Sequence, residues 1–107
     1  MTPIVIVVKN LPAAGMAIFP FILLKSIRYK NDPEIINHEK IHLRQQLELL
    51  ILPFYILYFI NYIINLFIYK KHDEAYRKIV FEKEAYDYET DFNYLKNGNW
   101  YGWLKKF

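Results

Sequence analysis

The residues best suited to chemistry are His38-Glu39-Lys40-Ile41-His42, an H-E-x-x-H pentad in a chain of 107 residues. Side chains four apart on a helix stand one turn above each other, so both imidazoles reach one ion. Glu39 is turned about 100° from His38, near such an ion but off the line of ligands. That position suits a base acting on water rather than a metal ligand. Two ordinary helix histidines are the plain alternative, which gains ground only if no third ligand exists. The chain has no cysteine, so disulfides, thiolate chemistry and Cys-type zinc sites are excluded. Any metal has to be held by His, Asp or Glu.

The pentad needs a helix. Asp32 as N-cap, Pro33 at the first helical position and Glu34 facing the positive end predict one over 33–52, closed by Pro53. Ile35, His38, His42, Gln45 and Leu49 share one stripe, and Ile36, Leu43, Leu47 and Leu50 form the apolar stripe beside it. The histidines therefore border a buried seam. Arg44 and Glu48 read as a solvated pair. Upstream, residues 4–8 are all β-branched and predict a strand. The apolar run 17–24, interrupted by Pro20, reads as an edge strand with a break or an irregular extended segment. Residues 1–30 are thus expected to form a small β-sheet or ribbon of two or three strands. Gly15 and Pro20 count against a signal-anchor helix over 13–24.

Residues 49–69 carry no charge and are long enough to cross a bilayer, which takes roughly 20 apolar residues. Lys70-Lys71 and the tyrosines would fit a membrane interface. Against a span stand Pro53, Asn61 and Asn65. A span would also leave the histidines and everything after Lys70 roughly 30 Å apart. The folded alternative is a backing helix over 54–69, followed by a third helix over 73–96 that His72-Asp73-Glu74 opens and Asn97-Gly98 stops. In an up-down-up arrangement His42, nine residues past Pro33, and Glu82, nine past Asp73, lie level at about 1.5 Å per residue. Phe81, Ala85, Tyr88, Phe92 and Leu95 are that helix's apolar stripe, with Glu82 and Glu84 on its flanks. The plain reading of both glutamates is a salt-bridged surface with Arg77, Lys78 and Lys83. The aromatic tail, 97–107, is expected to cover the core, with the cleft or a membrane interface as alternatives.

Hydrophobic residues at 54% exclude disorder and leave more apolar surface than so short a chain can bury, so a membrane surface or homo-oligomer through 49–69 is expected. A net charge of +3 without a basic stripe argues against nucleic acid. No secretory signal is visible, and the expected location is cytoplasmic, with or without membrane association.

The pentad followed about forty residues later by Glu82-Lys83-Glu84-Ala85 resembles the gluzincin zinc metallopeptidases, in particular their very small, single-domain minigluzincin members. The resemblance implies an α+β fold in one domain over 1–107, with a small sheet on an active-site helix, a backing helix and a third-ligand helix. It implies Zn2+ held by His38, His42 and Glu82, with Glu84 as the alternative third ligand. Glu39 would be the catalytic base, peptide or protein the substrate, and the activity open to latency. Where many gluzincins place an aspartate four residues after the ligand glutamate, this chain has Tyr86 counted from Glu82, or Tyr88 counted from Glu84. Tyr86 and Asp87 are the candidates for an oxyanion donor or a partner of a liganding histidine. The rival is a small membrane-associated or structural protein whose non-catalytic zinc site is closed by the second glutamate or His72.

Overall fold

The computed structural model describes residues 3–97 and 100–107. It is α+β: a three-stranded sheet, four α-helices and two 3-10 turns. Strands β1 (Ile4–Val7), β2 (Gly15–Ile18) and β3 (Phe21–Leu24) lie in the order β1-β3-β2, with β1 parallel and β2 antiparallel to β3. The run 17–24 is therefore not one edge strand. Pro20 sits between β2 and β3, where its missing N–H costs no ladder bond. β3 becomes the central strand, whose Ile22 and Leu24 are buried against Leu43. β2 is an edge.

Helix α1 (Pro33–Leu49) begins as expected, with the Asp32 carboxylate accepting from the N–H groups of Glu34 and Ile35 at 3.1 and 3.4 Å. Its end differs. The chain turns at Leu50, in left-handed backbone, and α2 spans Ile51–Tyr69. The expected bounds 33–52 and 54–69 misplace this break because Pro53 does not stop a helix here. It stands in the first turn of α2, where its N–H would have no partner anyway.

The expected third helix, 73–96, is two helices, α3 (His72–Arg77) and α4 (Val80–Tyr88), and turns follow through Asn97. No Gly or Pro marks the α3–α4 break. Asn61 of α2 supplies it, its side-chain oxygen accepting from Val80 N–H at 2.9 Å and so standing in as a cap for α4. Asn65 of α2 likewise donates to the Ala75 carbonyl of α3 at 3.1 Å. Glu82 thus does not ride on one continuous helix from Asp73, yet it still reaches the histidines. Gly98, the expected stop, lies outside the described residues.

Phe54, Ile79, Val80, Phe81 and Trp103 form the largest apolar cluster, so the tail does cover the core, through Trp103. Leu95 and the tail overturn the solvated Arg44–Glu48 pair. Arg44 is buried and donates to the Leu95 carbonyl at 3.1 Å, while Glu48 accepts from Trp103 Nε1 at 3.1 Å and from Tyr101 N–H. Both α1 and α4 pack on α2, so α2 does not separate the two halves of the chain.

Candidate metal centre

Helix periodicity brings His38 and His42 to one face of α1, and α4 delivers Glu82 to meet them. Glu82 Oε1 lies 3.2 Å from His38 Nε2 and 3.1 Å from His42 Nε2. The three ligand atoms fall within 4.8 Å of one another, and all three residues are buried. This buried His-His-Glu group could hold a metal ion. Among the described residues it is the one cluster of His, Asp and Glu that meets this geometry.

Whether the donors suit an ion depends on the far side of each ring. His38 Nδ1 donates to Glu89 Oε1 at 3.0 Å, and His42 Nδ1 donates to Gln45 Oε1 at 2.8 Å. The Gln45 amide is fixed in that sense because its nitrogen meets two acceptors, the Phe81 carbonyl at 3.0 Å and Glu84 Oε1 at 2.7 Å. With an N–H required on each Nδ1, the lone pair a cation needs is left to each Nε2, and both Nε2 atoms face Glu82. Glu82 Oε2 in turn accepts from the Tyr58 hydroxyl at 2.6 Å. The residues present fit a divalent ion.

The electrostatics without a cation are those of a proton held in its place. Burial alone would pull the His42 imidazole down, but Glu82 and then Glu39 outweigh it and push it up to about 9. Burial would raise the Glu82 carboxyl, and His42 and His38 instead hold it well below the usual carboxylate range. Glu39 moves the other way. Burial pushes its carboxyl up, and the two histidines only partly oppose this. Its side chain borders two adjoining clefts of about 210 and 590 Å³, which share Pro12, Ala13, Gly15, Glu39 and Tyr76. Gly15 makes this a close approach, since a Cβ there would lie 3.1 Å from Glu39 Oε2 and the carboxylate would have to give by a few tenths of an ångström. Gln46 sets the approach by accepting from Phe19 N–H at 2.7 Å and donating to the Ala17 carbonyl at 2.8 Å, which fastens β2 to α1.

The two glutamates part company here. Neither belongs to a charged surface, since Glu82 is 3% exposed and Glu84 2%. Lys83 turns away to the Lys106 carbonyl. Glu84 points to the opposite side of α4 from the histidine pair's Nε2 atoms, taking hydrogen bonds from Gln45 and the Tyr94 hydroxyl. Tyr86 packs edge-on against His38, with ring centroids 4.6 Å apart. Asp87 is exposed and paired with Lys106 at 2.7 Å, away from the site, because it lies on the outer face of α4. His72 is not one of the clustered ligands, but it lines the larger cleft with His38 and Glu39, its Nδ1 bonded to the Tyr62 hydroxyl at 2.7 Å.

Three site residues escape a reading of the sequence: Glu89, Gln45 and Tyr58. Glu89 lies seven residues after Glu82, two turns along, so a search at four residues passes over it. Gln45 stands on the histidine stripe, and only its spacing of three from His42 hints at contact. Tyr58 carries no local signal. Set against known proteins, the chain matches no family model, no curated protein and no solved structure, so the chemistry of this site has to be argued from its own geometry.

Proposed function

We propose that this chain is a zinc-dependent metallopeptidase of gluzincin type. The observation that carries the reading is that Glu82 from α4 meets the Nε2 atoms of His38 and His42 while Glu39, between them in sequence, lines a cleft. His38, His42 and Glu82 would hold the ion, and two imidazoles with one carboxylate favour zinc. When bound, zinc supplies a Lewis acid that makes water a nucleophile near neutral pH. Glu39 takes the proton from the attacking water and passes it to the departing amine. Glu89 and Gln45 hold the two imidazoles in the tautomer and orientation that ligation needs, and Tyr58 holds the second oxygen of Glu82.

A peptide suits the cleft because β2 is an edge with no strand beyond it among the described residues, and Gly15 at its start, short of the Ala17 carbonyl that Gln46 and Tyr55 hold, lies beside Glu39. An extended backbone added antiparallel or parallel to that edge places a carbonyl near Glu39 through main-chain hydrogen bonds alone. The test is metal analysis of the purified chain together with cleavage of a peptide library by wild type and Glu39→Gln. One zinc per chain is expected in both, with hydrolysis lost in the variant. Zinc in neither protein would remove the metal centre, and hydrolysis surviving in the variant would remove Glu39 as the base.

A further inference from the structure

Helix α2 is built inside out. At about 100° per residue, its inward stripe holds Phe54, Tyr58, Asn61, Tyr62 and Asn65, including both of its amide side chains. These amides are used up on Val80 N–H and the Ala75 carbonyl. The remaining arc, about 220° from Tyr55 round to Ile68, has no charged or amide side chain along the whole helix. Leu52, Phe59, Phe67 and Ile68 on it are 69%, 63%, 80% and 62% exposed. A helix facing water places its amides outward and its apolar stripe inward. The solvent for which α2 is patterned is therefore apolar.

We propose that α2 lies flat in the surface of an anionic lipid bilayer, its outer arc among the acyl chains and the rest of the domain in water. Three features select this occupant. A single partner helix covers a stripe of about 100°, less than half of the arc, whereas lipid wraps all of it. The helix ends at exposed Lys70 and Lys71, and no acidic residue occurs between Glu48 and Asp73, which complements anionic headgroups. The inner stripe is bound along its length to α1, α3 and α4, and α3 carries exposed Asp73, Glu74 and Arg77. An upright α2 would carry those charges into hydrocarbon, so the helix lies in the plane instead of crossing. The proposal is independent of the chemistry proposed for the metal centre.

The test uses the full chain with vesicles of phosphatidylcholine, with and without phosphatidylglycerol. Wild type is expected to float with the vesicles, on the order of tenfold more tightly with phosphatidylglycerol and less so at high salt. The double variant Phe59→Glu, Phe67→Glu alters only exposed positions. It is expected to keep its circular dichroism and lose at least tenfold in binding. Because the chain has no cysteine, nitroxide labels on Leu52→Cys, Phe59→Cys and Phe67→Cys report depth at single sites. The outer two lie about 22 Å apart along the axis at 1.5 Å per residue, so a flat helix gives equal depths. Graded depths would mean a span and overturn the proposal. Vesicle binding that is absent, or unchanged in the double variant, overturns it too. So does a dimer in lipid-free buffer that buries these labels and persists with vesicles, which would assign the arc to a second copy.

Discussion

Gln45→Met tests whether the site is held from behind as the geometry implies. The substitution conserves volume closely enough that packing alone costs less than about 1.5 kcal/mol. It removes all three hydrogen bonds of a side chain that is 1% exposed. The Phe81 carbonyl keeps its place in the helix ladder. His42 Nδ1–H and Glu84 Oε1 are left without this partner in the interior, at about 1–3 kcal/mol each. The sum is about 2–6 kcal/mol, a large part of the roughly 5–15 kcal/mol that holds a domain of this kind. At about 4–8 °C per kcal/mol, the melting temperature should fall by at least about 8 °C. His42 also loses what fixes its ring, so zinc affinity, read by competition with a chromophoric chelator, should fall about 10- to 100-fold. A variant that melts within a few degrees of wild type and binds zinc as tightly would refute both the hydrogen-bond accounting and the orienting role of Gln45.

Exchanging the two buried glutamates separates their roles. Glu82→Gln should lower zinc affinity by more than the roughly hundredfold seen when only an outer partner is lost, measured by the same competition. Glu84→Met should still bind one zinc per chain, yet lose at least about 1–3 kcal/mol of stability, since its side chain offers no oxygen to Gln45 or the Tyr94 hydroxyl. Gly102→Ala should destabilise by at least about 1–3 kcal/mol in urea unfolding, because a Cβ there would collide with both the Glu84 carboxylate and the Tyr94 hydroxyl. Asp32→Ala removes the cap of α1 and should cost about 0.5–2 kcal/mol in the same assay without changing zinc stoichiometry.

Much of the arrangement is legible in the sequence. The β-branched run at 4–8, the Asp32-Pro33 helix start and the i, i+4 histidines are local patterns, and each forms where the pattern says. The departures share one cause, contacts distant in sequence or position within a helix that local pattern does not carry. Pro53 looks like a stop, but a proline in a first turn removes nothing that was bonded. Periodicity over 73–96 runs through a break at which Asn61, distant in sequence, caps Val80. Spacing on α1 pairs Arg44 with Glu48, whereas their partners, the Leu95 carbonyl and Trp103, arrive from more than fifty residues away.

By itself the sequence determined which groups are able to act together on one helix, because a fixed rise and rotation per residue align His38 with His42 and turn Glu39 aside. It also set the apolar character of α2, which is composition. Only the tertiary structure decided that Glu82 faces the histidines and Glu84 faces Gln45 and Tyr94. Those two side chains differ by two residues on one helix, and the choice between them is the rotation of α4 about its own axis. That rotation is fixed by packing on Phe54 and Trp103 and by the cap from Asn61, contacts that no local stretch of chain contains.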